Sequence, residues 1–229
     1  MPGSGQATKG RNVDERIDRD AARSPSTRDP ERTRAAILAA ATEELAAKGL
    51  DGARVDAIAE RARVNKRMIY HYFGDKEGLY LAVLEATYGA IRSAEIGLDL
   101  AHRGPVDGMR ELVLFTWRYF LDHPEFLSLL ATENLHRAAH LKRSRRIREL
   151  HSPLIGMIEE LLERGERARV FRPGIDPVDL YITIAALGFF YLSNRHTLST
   201  IFARDLSAPE SLAARGRHIV DVVLGYLRP

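Results

Sequence analysis

The chain has 229 residues, enough for one or two domains with a buried core, and a formal net charge of only +3. It contains no cysteine, which excludes a disulfide framework and thiol chemistry and favours a cytoplasmic location. No N-terminal apolar stretch resembles a signal peptide. Because the net charge is small, a nucleic-acid partner has to be inferred from where the charges lie.

Residues 1–28 are predicted to be a disordered tail. The segment is rich in Gly, Pro, Ser and mixed charge, and it buries too little apolar surface to offset its loss of conformational entropy. The alternative is a basic arm that contacts DNA, against which the interspersed acidic residues argue. The arginines of this arm are Arg16, Arg19, Arg23 and Arg28.

A helix-turn-helix is indicated by residues 54–77, RVDAIAERARVNKRMIYHYFGDKE. Apolar residues recur there at helical spacing and form one stripe on a first short helix. Val64 fills the turn, and a second helix of about two turns follows. This arrangement places the second helix in the major groove of DNA. The stripe consists of Val55, Ile58, Ala59 and Ala62.

Capping signals flank the second helix. Asn65 is suited to cap its start, because its side chain accepts a backbone N–H. Gly74 is suited to end it in a left-handed conformation. Asp75 is suited to cap the long helix that follows at once.

Outward side chains of the second helix are predicted to contact DNA. Lys66 and Arg67 are the first candidates, since a short helix with cations and few acids suits phosphates and base edges. Ordinary solvated side chains are the alternative at every position, and Tyr72 could instead belong to the core. The predicted DNA-binding residues are Arg54, Arg63, Asn65, Lys66, Arg67, Tyr70, His71, Tyr72 and Lys76.

The pattern IA..A.V....IY.YF..KE, after a helix that ends at Gly49, resembles the DNA-binding domain of the TetR family of transcriptional regulators. The resemblance covers residues 31–78 closely and the remainder only in its all-helical outline. Three residues depart from the family pattern: Val55 stands for a phosphate-contacting Thr, Arg63 for a turn Gly, and Asn65 for a Ser or Thr cap. A left-handed backbone at Arg63 is expected to cost about 1 kcal/mol.

The whole chain is predicted to be all-α, with about nine helices and no strand. The first helix is expected to begin at Asp29–Pro30, and the helix after the motif to run from Lys76 to about Leu100. Ser207 and Glu210 are expected to form a capping box before the last helix. Other helices are expected from 105, from 124 to about 140, over 144–167, over 177–200 and over 208–227.

Three segments are predicted from this pattern. Residues 1–28 form the tail, 29–75 the helix-turn-helix domain, and 76–229 a C-terminal domain that binds an effector and dimerises. The helix at 177–200 is apolar nearly all round, but its apolar run is below the ~20 residues of a membrane span and contains Asp179. A helix of this kind has to be buried on all sides. We therefore expect a homodimer through 177–200 and 208–227, with burial inside one subunit as the alternative.

The resemblance implies that residues 101–200 receive a small-molecule ligand. Aromatic residues could line an apolar pocket, and plain core packing is the alternative for each. Glu133, His136 and His140 share a predicted helical face, but satisfied hydrogen bonds are a commoner outcome than a metal site, so no metal and no cofactor are expected. The predicted ligand-binding residues are Trp117, Phe120, Asn134, His136, Tyr181, Tyr191 and Asn194.

Two recognition helices related by a two-fold axis read a palindrome with half-sites ~34–36 Å apart. The resemblance implies a ligand-responsive repressor that binds a palindromic operator in double-stranded DNA as a dimer and is released by a small-molecule effector. The alternatives are a helical interaction module and an activator without small-molecule release. An enzyme is not expected, because the sequence has no G-x-S-x-G, no H-E-x-x-H, no phosphate-binding glycine loop and no cysteine.

Overall fold

Residues 30–229 are described by a computed structural model, without the side chains at positions 148 and 150–152. They form nine α-helices and two short 3₁₀ helices, at Leu100–His102 and Leu141–Arg143, and no strand lies within them. The all-α prediction is confirmed; the predicted tail and the Asp29 cap lie outside the described residues. The helices are α1 (Pro30–Gly52), α2 (Val55–Ala62), α3 (Lys66–Phe73), α4 (Lys76–Ile96), α5 (Pro105–Asp122), α6 (Pro124–Leu135), α7 (Arg145–Arg167), α8 (Pro177–Ile201) and α9 (Pro209–Leu227).

Helices α1, α2 and α3 pack together and onto the start of α4. Each contributes fully buried aliphatic side chains to this N-terminal core, which removes apolar surface from water. Helix α1 also packs along α6, so the N-terminal group leans on the C-terminal helices. The buried side chains include Ile37, Leu45, Ile58, Ile69 and Leu79.

Helix α5 lies in the middle of the C-terminal bundle and packs against α7, α8 and α9. Two glycines allow this close approach. A Cβ at Gly216 on α9 would lie 3.0 Å from the ring of Trp117, and one at Gly188 on α8 would lie 3.2 Å from the ring of Phe120. The α5 aromatics therefore fill the space that larger residues on α8 and α9 would occupy.

Two helices end earlier than the sequence predicts. Helix α4 stops at Ile96 and not near Leu100, because Asp99 takes a left-handed conformation with φ 50° that leads into the first 3₁₀ helix. Helix α6 stops at Leu135 and not near His140, because Arg137 and Ala138 have φ 56° and 58°. Single positive-φ residues are a strong stop signal that the helical periodicity does not reveal.

Two other predicted helix ends differ from the structure. Gly49 does not end α1; it kinks it, with φ 67° and ψ 177°, before the helix continues to Gly52. The expected capping box before α9 is not formed, because Ala208 is the N-cap and makes no side-chain capping bond. Asp205 holds this turn instead: its carboxylate accepts from the Ser207 N–H at 2.8 Å.

Helix α8 has one buried and one open side. Leu180 and Ile184 are buried on the inner side, whereas Ile182 and Phe190 are 55 % and 61 % exposed on the outer side. Burial inside one subunit, the alternative to a dimer, therefore leaves large apolar side chains of α8 exposed. No helix within residues 30–229 is both long enough and apolar enough to cross a membrane.

Candidate DNA interface and regulatory domain

The turn between α2 and α3 is built around a left-handed arginine. Arg63 has φ 54° and ψ 42°, and its N–H donates to the Glu60 carbonyl at 3.1 Å. The Val64 N–H donates to the Ala59 carbonyl at 3.0 Å, which closes the end of α2. The backbone at Arg63 is thus left-handed, with the steric cost that this conformation has for a residue with a Cβ.

The ends of α3 are fixed by side chain and backbone. Asn65 Oδ1 accepts from the Arg67 N–H at 2.9 Å, so the predicted cap is confirmed. Gly74 has φ 80° but ψ −68°, which is not the left-handed helical conformation expected for it. Asp75 Oδ1 accepts from the Gly78 N–H at 2.7 Å, and a Cβ on Gly78 would lie 2.2 Å from the Phe73 carbonyl oxygen. This close approach sets the angle at which α4 leaves α3.

The outer face of α3 presents cationic and aromatic side chains to solvent. Lys66, Arg67 and His71 are exposed, and Tyr70 is 43 % exposed. Tyr72 is half-buried and packs against the core, as the alternative for this residue supposed. Helix α3 therefore offers four neighbouring side chains to a ligand that approaches its outer face.

Lys66 is already paired in the free protein. Its Nζ lies 2.8 Å from Asp56 Oδ1, so the ion pair joins α3 to the first turn of α2. The hydrogen bond to Asp56 raises the pKa of Lys66, and the same bond lowers the pKa of Asp56. A phosphate that binds Lys66 has to compete with this carboxylate.

Lys76 and its neighbours connect the N-terminal helices to the C-terminal bundle. Lys76 Nζ donates to the Asp51 carbonyl at 3.3 Å, and the Asp51 carboxylate lies 3.7 Å from His136 Nε2. Glu77, at the start of α4, pairs with Arg143 at 2.9 Å. Lys76 is thus held at the kinked end of α1, in addition to any contact it makes with phosphate.

Sequence reasoning missed a buried carboxylate at the start of α2. Glu44, on α1, is 2 % exposed, and its Oε1 accepts from the Arg54 N–H at 3.2 Å and from Lys48 Nζ at 2.7 Å. The bond from Lys48 lowers the pKa of Glu44, with the Arg54 N–H acting in the same direction and burial opposing both. Arg54 is therefore fixed through its backbone, and its exposed side chain is left to reach outward.

The predicted ligand-binding residues Phe120 and Tyr191 line two different grooves. Trp117 is buried against Tyr191, with ring centroids 5.8 Å apart, and the Tyr191 hydroxyl donates to the Leu206 carbonyl at 2.9 Å. Both residues hold α5, α8 and the loop before α9 together. Phe120 instead lines a surface groove of about 280 Å³ whose rim carries Arg195 and His196.

The remaining polar candidates bond to the backbone of their own helices. The side-chain amide of Asn134 donates to the Leu130 carbonyl, and that of Asn194 donates to the Phe190 carbonyl. His136 Nδ1 lies 2.8 Å from the Thr132 carbonyl, on the side of α6 that faces α1. Tyr181 instead accepts through its hydroxyl from Arg92 Nη2 on α4 at 3.2 Å.

Glu133 serves the loop after α6 and not a metal. Its carboxylate accepts from the backbone N–H groups of His140 and Leu141 at 2.8 and 2.9 Å and lies 3.0 Å from His140 Nδ1. The shared helical face expected with His136 and His140 does not form, because α6 ends at Leu135. Within the described part of the chain, no three His, Cys, Asp or Glu residues are placed to hold a metal ion.

Comparisons with known proteins assign the family. Residues 37–83 match the family described as bacterial regulatory proteins, tetR family, and residues 105–223, just over half of the chain, match the tetracyclin repressor-like C-terminal domain. The chain is 41 % identical to the HTH-type transcriptional repressor NicS of Pseudomonas putida over 86 % of its own length and 93 % of that protein. The chain belongs to the TetR family. It is a DNA-binding transcriptional regulator and not an enzyme.

Solved TetR-like structures share the fold. A putative transcriptional regulator of Streptomyces coelicolor, SCO4942, superposes with a TM-score of 0.65 at 28 % identity, covering 86 % of this chain and 99 % of that one. FadR of Bacillus subtilis, solved in complex with stearoyl-CoA, superposes with a TM-score of 0.64 at 16 % identity, covering 85 % of this chain and all of that one.

The departures from the TetR pattern have visible consequences in the turn. Val55 is 9 % exposed and has no hydroxyl, so it packs where the family pattern has a Thr that contacts phosphate. The side chain of Arg63, at the C-terminal end of the same helix, is exposed. The missing hydroxyl lies at the first residue of α2 and the added cation at its C-cap, so the set of phosphate contacts available at both ends of α2 differs from the family pattern.

Proposed function

We propose that this TetR-family regulator is a repressor that binds a palindromic operator as a dimer and is released by a small-molecule effector. The observation that carries the proposal is the exposed face of α3, where Lys66, Arg67, Tyr70 and His71 lie side by side. Phosphate oxygens and base edges are the groups these side chains suit. Such a regulator acts in the cytoplasm, where its DNA is.

The open side of α8 and α9 supports a dimer. Apolar side chains at four-residue spacing stay exposed on both helices, which pack against each other. Not every apolar residue of α9 is available to a partner subunit. Ile219 and Val223 point into the subunit, whereas Val222 and Tyr226 point outward. An exposed apolar strip of this kind is typical of an oligomer interface. The strip consists of Val178, Ile182, Phe190, Val222 and Tyr226.

Effector release needs a path from the C-terminal bundle to α3, and α4 supplies it. Its first residues contact α3 and the end of α1, and its last turns pack in the C-terminal bundle. A ligand that favours one arrangement of α4 shifts the spacing of the two recognition helices by its difference in affinity for the two states. The same fold holds stearoyl-CoA in FadR.

DNA binding is tested by selecting genomic fragments with the purified full chain at low salt and measuring affinity for the selected site against salt concentration. Arg67→Ala is expected to weaken binding by about tenfold and to lower the salt slope by about 1, since it removes one phosphate or base contact. Arg146→Ala, at an exposed site on α7, is the matched control and should leave both values unchanged. Failure to enrich any fragment would overturn the repressor proposal, and activation of the bound promoter would favour the activator alternative.

Dimerisation is tested at the centre of the exposed strip. Ile182→Glu is expected to give a monomer by light scattering and to weaken operator binding by more than about 100-fold, because it buries an unpaired charge against the partner. Leu135→Glu makes the same change at a residue that is 81 % exposed on α6, and it should remain a dimer. A dimeric Ile182→Glu protein would place the interface elsewhere.

A further inference from the structure

A charged pair is buried between α4 and α8. Arg92 and Glu95 on α4 have side chains only 3 % and 1 % exposed, and Arg92 Nη1 lies 3.0 Å from Glu95 Oε2. Arg92 Nη2 also donates to the Tyr181 hydroxyl on α8 at 3.2 Å, with the guanidinium 5.4 Å from the centre of that ring. The pair therefore links the transmitting helix α4 to α8 through the interior of the C-terminal bundle.

The hydrogen bonding of this pair is incomplete. Within the described part of the chain, Nε and Nη1 of Arg92 and Oε2 of Glu95 have no hydrogen-bond partner. The contact between Nη1 and Oε2 is thus an ion pair without hydrogen-bond geometry. Buried donors are nearly always paired, because an unpaired one costs most of its desolvation energy. Arg92 is therefore a buried cation with two nitrogen atoms that make no hydrogen bond.

The local charge favours an anion over a second cation. Burial raises the pKa of Glu95 to about 7, with Arg92 opposing this effect only in part. Glu95 is therefore about half protonated near neutral pH, whereas a guanidinium keeps its charge. The pair carries a net positive charge on average, with Arg92 donors unfilled.

Buried aromatic side chains lie in the same region of the C-terminal bundle. Tyr88 and Tyr119 are each 8 % exposed, and both rings pack against Phe126, with centroid distances of 5.3 and 6.2 Å. Burial raises the pKa of each to about 12, so both phenols stay neutral. The ring of Tyr181 lies 5.4 Å from the Arg92 guanidinium, and an aromatic ring beside a buried cation suits a small aromatic anion.

We propose that the Arg92 cluster (Arg92, Glu95, Tyr88, Tyr119 and Tyr181) binds the effector, and that the effector is a small aromatic carboxylic acid. Its carboxylate accepts from the unfilled guanidinium donors, and its ring lies against the tyrosines. The inference rests on the proposed function, because it names the ligand class of the regulator. A carboxylate at Nε and Nη1 of Arg92 competes with Glu95 for the guanidinium, and it thereby alters the link that Arg92 makes between α4 and Tyr181 on α8.

The test is calorimetric titration of the full chain with benzoate and with benzamide, its neutral isostere. We expect benzoate to bind and benzamide to bind at least about tenfold more weakly. Arg92→Met should weaken benzoate binding by about 10- to 100-fold through loss of charge-assisted hydrogen bonds. Glu95→Gln should strengthen it about three- to tenfold, because it removes a competing negative charge. Arg110→Met, an exposed site on α5, should leave binding unchanged.

Benzoate affinity is expected to fall in Arg92→Met and to rise in Glu95→Gln. Structural damage would instead lower the affinity in both variants, so the two explanations can be told apart. If Arg92→Met does not fold by circular dichroism, Glu95→Gln and the benzamide comparison decide the matter alone. The assignment is overturned if the unaltered chain ignores benzoate, binds benzamide equally well, or if Arg92→Met keeps full affinity. If the chain binds an operator but not benzoate, the repressor proposal is supported and the Arg92 cluster is not the effector site. If it binds benzoate but no DNA, the Arg92 cluster is supported as a ligand site and the repressor proposal fails.

Discussion

Two buried carboxylates distinguish the two ends of this molecule. Glu44, in the N-terminal helices, is 2 % exposed and has a partner for its charge, because a backbone N–H and a lysine both donate to it. Glu95, in the C-terminal bundle, is 1 % exposed and has an oxygen without a hydrogen-bond partner. The pKa of the first is lowered and that of the second is raised to about 7. A buried glutamate therefore has hydrogen-bond donors for its carboxylate in the N-terminal helices and an unbonded carboxylate oxygen in the C-terminal bundle.

The difference follows from what each region has to do. The N-terminal helices present their ligand face outward, so their interior is free to be fully bonded and rigid. On our proposal the C-terminal bundle admits a ligand to its interior, and the unpaired polar atoms there are groups that such a ligand completes. The most informative buried polar residues are therefore the ones whose hydrogen bonds are missing.

The largest effect is expected at Glu44. Glu44→Ala leaves the Arg54 N–H at the start of α2 without its acceptor and should lower the free energy of unfolding by about 2–3 kcal/mol. Urea unfolding measures this change. Glu43→Ala, one residue earlier, removes an exposed ion pair with Arg61 and should cost less than about 1 kcal/mol. Equal losses in the two variants would remove the distinction between the buried and the exposed acid.

The next effect concerns how stability depends on pH. Because the pKa of Glu95 is raised in the folded chain to about 7, the folded chain keeps the Glu95 proton to a higher pH than the unfolded chain does. Its contribution is therefore most favourable below the ordinary pKa near 4.5 and is lost as the pH rises to about 7. We expect a loss on the order of 2 kcal/mol over this range.

Glu95→Gln should remove this part of the pH dependence, as measured by urea unfolding at pH 5 and pH 8. Glu163→Gln, at a carboxylate 60 % exposed on α7, is the control and should keep the slope of the unaltered chain. Glu44 behaves in the opposite sense: its lowered pKa gives stability that is present above its ordinary pKa and is lost as the pH falls through the folded value. A Glu95→Gln protein with an unchanged pH profile would contradict the raised pKa.

The helix-turn-helix was predictable from sequence because its signals are local. The stripe on α2, the Asn65 cap and the Asp75 cap each act within a few residues, and all three are present in the structure. The Arg92 cluster was not predictable, because Tyr181 is 89 residues from Arg92 in the chain. Helical periodicity places Arg92 on α4 but does not reveal that it points into the bundle.

The same limit explains the predicted ligand-binding residues. The sequence indicates aromatic residues on α5 and α8 by type alone, and the structure shows Trp117 packed against Tyr191 and against Gly216 on α9. A glycine on another helix, Gly216, is what admits the Trp117 ring, and no pattern within α5 indicates it. Long-range packing decided which aromatic residues are core.

The smallest effect is expected at the turn that the sequence already marked as unusual. Arg63→Gly relieves the left-handed strain at φ 54°, while glycine adds flexibility to the unfolded chain, so a net gain of about 0.5–1 kcal/mol is expected. Glu60→Gly, inside α2 where the backbone is helical, should instead lose about 1 kcal/mol. If DNA binding weakens in Arg63→Gly although its stability rises, Arg63 supplies a phosphate contact in place of the absent Thr hydroxyl at Val55. If binding and stability both stay unchanged, the arginine is neither strained nor part of the DNA interface.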